Sequence, residues 1–309
     1  MNGGESMGMI SVQLGGVVER FGVEESYRMI REAGFDAVDV NPLPILTGAE
    51  IRAYKRSPVL DMDEKEILSV FAPYREAAEK YGLVNFQAHA PYPSCMPHDA
   101  AYSEYLLQGL GKVIGGCAAM GCHRLVIHPF FYAYEDMLTP QAEWDLNLQS
   151  YTRLIPFAQR HSVTICLENM FTRHRGKLYS ACCSDMAFTC RLIDELNQRA
   201  GRRLFGFCLD TGHLLLVGKD VKQTMLQLGD RLEALHIHDN DGVNDQHLLP
   251  YTGILDWDRF VEGLRESGYS KPLNFETHGG MDRFDPALAP AALRLIAQTG
   301  RMFLEKAGL

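Results

Sequence analysis

Two hydrophobic patterns alternate along this chain. Short, almost unbroken apolar runs occur near Met9–Leu14, Ala37–Val40, Val84–His89, Arg124–His128, Val163–Glu168, Phe205–Asp210, Ala234–His238 and Pro272–Glu276. Runs of this kind predict strands buried on both faces, as a parallel sheet wrapped by helices requires. Between them, apolar residues recur at helical spacing. Ile67, Val70, Phe71 and Tyr74 follow the i, i+3, i+4, i+7 rule for one buried face, and Tyr105, Leu106, Gly109, Leu110, Val113 and Ile114 do likewise. Phe260, Val261 and Leu264 continue the theme behind an Asp256-Trp-Asp258 helix start.

Eight strand–helix units in 309 residues match the size of a (β/α)8 barrel. No Pro/Gly/Ser-rich linker or low-complexity block divides the chain. The expected fold is therefore α/β: a single TIM-barrel domain over 1–309, a parallel eight-stranded barrel with outer helices. An open doubly wound sheet is the main competitor, but no GxGxxG follows the first strand.

A barrel gives position a meaning, because its chemistry lies at the C-terminal ends of the strands. Six of the apolar runs finish there on a residue able to bind a metal: His89, His128, Glu168, Asp210, His236 and Glu276. Glu168, Asp210, His236 and Glu276 come from the last four strands. Three carboxylates and one imidazole suit Mn²⁺ or Zn²⁺ first, with Mg²⁺ or Co²⁺ also compatible. The absence of thiolate argues against a structural zinc. His213 follows Asp210 across a strand-to-helix turn at Gly212, so both emerge at one lip. Asp245 and His247 sit in a polar loop at i, i+2 spacing, which lets two ligands chelate together, and His238 stands nearby.

Composition narrows the partners. The chain is 46% hydrophobic and 22% charged, with a formal net charge of −9. Nothing there supports a broad basic footprint for nucleic acid or anionic membrane. The eight cysteines form no CxxC pair, and Cys166 and Cys208 lie inside strand-like runs. They read as small core residues in a reducing compartment. No signal-peptide pattern opens the chain and no run is long enough to span a bilayer. A cytoplasmic location is expected.

The motifs His89-Ala-Pro-Tyr92, Leu167-Glu-Asn169, Leu209-Asp-Thr-Gly-His213, His236-Ile-His-Asp-Asn240 with Asp245-Gln-His247, and Phe275-Glu-Thr277 resemble the xylose isomerase-like TIM-barrel superfamily. That group holds the sugar phosphate isomerases/epimerases and the endonuclease IV-type DNA repair enzymes. The resemblance runs across essentially the whole chain, one motif per strand end. It implies that Glu168, Asp210, His236 and Glu276 hold the single metal of the sugar enzymes. It also implies two further metal positions from the endonuclease branch: His89 and His128 with Glu168 bridging, and His213, Asp245 and His247. In many sugar-handling relatives some of these positions hydrogen-bond substrate instead, so the metal count stays open between one and three.

The implied activity is a metal-dependent sugar or sugar phosphate isomerase/epimerase. It works by proton transfer beside a carbonyl through a metal-stabilised enediolate, with Glu168 and Glu276 as the acid/base pair. His89, His128, His213, His238 and Arg173 are expected to contact substrate, Arg173 steering an anionic group. Tyr92, Phe130, Phe131, Tyr132 and Trp257 are candidate pocket walls, and Gly279-Gly280 a candidate phosphate turn. The alternatives are a trinuclear-zinc phosphodiesterase on abasic DNA and a metal-dependent dehydratase of a polyol or sugar acid. Against the phosphodiesterase, Arg173, Arg175 and Lys177 are the only tight basic cluster near the lip. The Tyr251-Thr-Gly-Ile-Leu-Asp-Trp257 run also resembles the sugar branch. A small-molecule partner is expected, and oligomeric state, homo-oligomer included, is left open.

Overall fold

In the computed structural model, which describes residues 8–309, every expected apolar run contains a strand. Segment 1–7, part of the single-domain expectation and the place where no signal peptide was read, lies outside the described residues. The strands are β1 (Ile10–Gln13), β2 (Ala37–Val40), β3 (Val84–His89), β4 (Arg124–Val126), β5 (Thr164–Glu168), β6 (Phe171–His174), β7 (Lys177–Ser180), β8 (Phe205–Asp210), β9 (Leu232–His236) and β10 (Leu273–Phe275).

Eight of them form one parallel sheet in the order β10-β1-β2-β3-β4-β5-β8-β9. A parallel bridge between Ile237 and Phe275 joins its two ends: Ile237 N–H donates to Asn274 O (2.9 Å) and Glu276 N–H to Ile237 O (3.0 Å). This is a TIM barrel, its helices outside the strands. Near-complete burial along β1, β2, β8, β9 and β10 explains their unbroken apolar character.

The helices follow the predicted periods. Glu64–Tyr81 carries Ile67, Phe71 and Tyr74 on its buried face, and Ala100–Ala119 carries Leu106, Leu110, Val113 and Ile114. Trp257–Ser267 starts where Asp256 accepts a hydrogen bond from Arg259 N–H, an N-cap made by the side chain. The last helix, Ala289–Ala307, buries Leu293, Ile296 and Phe303.

One element was not foreseen. After β5 the chain forms an antiparallel hairpin of β6 and β7, turning at Arg175 (φ 48°) and Gly176 (φ 78°). Two successive left-handed residues suit a tight hairpin turn, and the glycine takes one of them without strain. All eight cysteines are free and seven are buried, as expected for core residues. No helix among the described residues is long and apolar enough to cross a membrane.

Candidate metal centre

At the C-terminal end of the barrel lies a cavity of about 1060 Å³, and its floor is polar. Glu168, the last residue of β5, is buried there, with Oε2 standing 3.0 Å from Nε2 of His128 and 3.4 Å from Nε2 of His89. Those two imidazole nitrogens lie 2.9 Å apart. On its other side, Glu168 Oε1 is 3.2 Å from Nδ1 of His236. The same Nδ1 is 3.4 Å from Glu276 Oε2 and 4.0 Å from Asp210 Oδ2. Strand ends far apart in sequence thus bring Glu168, Asp210, His236 and Glu276 to one place.

A second cluster adjoins it. Nε2 of His213 is 3.4 Å, and Nε2 of His247 is 3.3 Å, from Oδ2 of Asp245. The loop after β9 returns to the site because Asp239 and Leu248 pair as an antiparallel bridge. Asp239 itself is fully buried. It accepts hydrogen bonds from the backbone N–H of Asn240, Gly253 and Leu255 and from the Trp257 indole, at 2.9–3.1 Å. Trp257 therefore serves the loop and the core, and it does not line the cavity.

The hydrogen bonds behind the histidines reveal what faces forward. A carbonyl only accepts, so a ring nitrogen bonded to one must carry the proton. Nδ1 of His89 donates to Ala90 O (2.7 Å), Nδ1 of His213 to Asn169 O (2.8 Å) and Nδ1 of His247 to Glu276 O (3.2 Å). Each Nε2 thereby faces the site and offers it a lone pair when unprotonated, the arrangement typical of metal-ligating histidine. Glu168 Oε2 is buried and makes no hydrogen bond despite the nitrogens beside it. Three sets, His89/Glu168/His236, Asp210/His236/Glu276 and His213/Asp245/His247, each place their ligand atoms within 4.8 Å of one another. The donors fit borderline divalent cations such as Zn²⁺ or Mn²⁺.

Electrostatics agree with that reading. Burial alone would push the Glu168 carboxyl up, but the imidazoles of His128 and His236 hold it well below the usual carboxylate range. Burial lowers the pKa of His128 to about 4, against the pull of Glu168. For His247, burial opposes the charge but Glu276 and Asp245 outweigh it, raising the pKa to about 9. Asp210 and Asp245 likewise hold His213 well above its ordinary value despite its burial.

Not every expected residue meets the cavity. His238 was expected among the substrate contacts. Instead it lies fully buried behind the floor, Nε2 3.0 Å from the Asp210 carboxylate and its ring stacked on His247 at 4.0 Å. Arg173 sits in β6, donates to Val243 O and does line the cavity, with Arg20 and Arg52. Tyr92, Phe131 and Tyr132 form walls, whereas Phe130 packs into the core against Tyr151. Gly279 and Gly280 do not shape a phosphate turn. A Cβ on Gly279 would stand 2.1 Å from Gln246 O, and Gly280 N–H already donates to His247 O. They let two loops touch.

Three residues escaped the sequence reading. Asn41 donates to Glu276 Oε1 (3.0 Å). His278 lines the cavity 4.3 Å from the His247 ring, held by Gln13 Oε1 (3.1 Å). Burial, then repulsion from His247 and His238, lowers its pKa to about 3. Asp39 lies under His236. The signals were a histidine two residues beyond Glu276 and an acid inside the apolar run Ala37–Val40.

The xylose isomerase-like TIM barrel pattern matches residues 27–299. The chain belongs to that family. Within reach by sequence is an uncharacterized protein of Sinorhizobium fredii, 30% identical over 272 residues, which are 85% of this chain and 83% of the relative. Solved structures of similar fold include D-psicose 3-epimerase in the presence of D-fructose, at 14% identity and TM-score 0.68, covering 96% of this chain and 99% of that one. Another is the IOLI protein with a binding zinc atom, at 14% identity and TM-score 0.70, covering 96% and 97%. At those identities the likeness concerns the fold.

Proposed function

We propose that this protein is a divalent-metal-dependent isomerase or epimerase of a small sugar or polyol-derived ketone. The observation that carries the reading is the pairing of Glu168 and Glu276 at one imidazole nitrogen, both carboxylates lining the floor of the cavity. A cation held by Glu168, Asp210, His236 and Glu276 would supply Lewis-acid polarisation of neighbouring sugar oxygens. The side chains do the rest. One glutamate takes the proton from the carbon beside the carbonyl, and the other returns it. Return to the opposite face of that carbon gives epimerisation; transfer to the adjacent carbon gives isomerisation. Tyr92, Phe131 and Tyr132 offer aromatic surface to a sugar face and help exclude water. The sugar epimerases among the solved neighbours are consistent with this chemistry.

A second reading, a polynuclear phosphodiesterase, is favoured by one observation: all nine ligand-type residues, including His213, Asp245 and His247, are gathered in the site. Arg20, Arg52 and Arg173 are the arginines of the cavity lining, no lysine joins them, and Arg20 is paired with Asp282. That is little for tracking a nucleic acid backbone.

Metal-loaded protein incubated with ketoses in D2O separates the two. Deuterium entering beside the carbonyl, stopped by EDTA and restored by Mn²⁺ or Zn²⁺, supports proton transfer. Cleavage of an abasic oligonucleotide with no exchange into any ketose would replace it by phosphodiester hydrolysis.

A further inference from the structure

The two ring nitrogens of His236 face different surroundings. Nδ1 points to the carboxylates of the metal centre. Nε2 points into the barrel interior, where it has no hydrogen bond and where Oδ2 of Asp39 stands 3.6 Å away. Asp39 is fully buried in β2, flanked by Val38 and Val40 of the core. Its Oδ2 accepts from Gln87 Nε2 (3.0 Å) on β3 and Asn274 Nδ2 (2.9 Å) on β10. Both amides turn their N–H ends toward it, which leaves Gln87 Oε1 and Asn274 Oδ1 without partners, as is Asp39 Oδ1 itself. A buried carboxylate held only by two neutral amides is a poor structural device, since charge in an apolar interior costs more than such bonds return. An aliphatic residue would suit the strand better.

We infer that Asp39 is a positioning residue for the metal centre. Its carboxylate faces Nε2 of His236 at 3.6 Å and accepts the Nε2–H once a cation draws on Nδ1, fixing the ring and its tautomer so that the Nδ1 lone pair faces the cation. His89, His213 and His247 use backbone carbonyls for the same purpose. Carboxylates also stand 3.5 Å from Nδ1 of His213 and of His247, but they belong to Glu168 and Glu276, themselves expected ligands; behind His236 the carboxylate comes from outside the ligand set, free to serve the ring and raise the basicity of its Nδ1. The affinity of the site for the cation bonded to His236 accordingly depends on Asp39. This rests on the metal-binding reading above.

The test titrates Zn²⁺ into the metal-free wild type, Asp39→Asn and Asp39→Ala, and records ¹⁵N–¹H spectra of histidine-labelled, Zn²⁺-loaded wild type. Asp39→Asn weakens Zn²⁺ binding at the His236 site about 10–100-fold, while the wild-type spectrum shows His236 bound through Nδ1 with the proton on Nε2. A purely structural residue would lower the melting temperature of the metal-free protein and leave the affinity alone. Affinity within twofold of wild type in a folded Asp39→Asn overturns the inference. So does a His236 protonated on Nδ1 in the loaded wild type, even if neither variant folds. Failure of the wild type to take up Zn²⁺ at all would overturn the metal reading with it.

Discussion

A Cβ on Gly212 would stand 2.0 Å from Cε1 of His238. The ring of His238 occupies that space, reaches the Asp210 carboxylate and stacks on His247, so it braces two ligands at once. Gly212→Ala must displace it. Overpacking of this kind costs about 1–3 kcal/mol, and here it also moves Asp210 and His247. The expected result is a lower melting temperature together with weaker Zn²⁺ binding, read by calorimetry. A variant as stable as the wild type and binding Zn²⁺ equally well would show that the ring is free to yield.

Glu168→Gln and Glu276→Gln keep shape and remove a proton acceptor. Each should cut deuterium exchange into substrate by about 10²-fold or more. Because both carboxylates are also expected ligands, metal content of each variant is measured alongside. A fully loaded variant that retains substantial exchange removes that residue from the acid/base pair.

The anchoring of the loop after β9 depends on Asp239. Asp239→Ala strands four buried or half-buried donors, among them the Trp257 indole. A loss on the order of 3 kcal/mol is expected in denaturant unfolding. Asp245 and His247 should loosen with it, so the Zn²⁺ stoichiometry falls before the site at His236 is affected. Unchanged stoichiometry with the expected instability would confine Asp239 to the core.

The pH behaviour has a definite sign. In the metal-free protein the pKa of His247 is raised to about 9, and His213 is also well above its ordinary value. A raised folded-state pKa contributes stability that is complete below the unfolded value, about 6.5, and is lost as pH rises through about 9. A cation must displace those same protons. Zn²⁺ affinity should therefore rise between pH 6 and 9 with protons released on binding. The melting-temperature gap between loaded and metal-free protein should widen over that range. Titration in buffers of different ionisation enthalpy measures the proton count, and a pH-independent affinity would contradict these assignments.

The barrel and most of its floor were legible because strand burial and strand ends are both written locally. Leu167-Glu168 or Leu209-Asp210 shows in a few residues that an apolar run stops on an acid. What was hidden depended on contacts across the ring. Asp39 is one acid within the run Ala37–Val40, and its role shows only where β9 brings His236 over it. His238 and His236 share a strand end and differ by two residues, yet one faces the ligands and the other lies behind Asp210. The hairpin of β6 and β7 is short and polar, with only Arg175-Gly176 to mark its turn. Sequence alternation cannot say on which side of a neighbour a ring will rest.

Anomalous diffraction from crystals grown with Zn²⁺ would locate the cation itself. A strong peak is expected within bonding distance of Glu168, Asp210, His236 and Glu276, with any further peaks at His89/His128 and at His213/Asp245/His247. Zinc bound elsewhere, with these four side chains carrying no peak between them, would contradict the proposed metal centre.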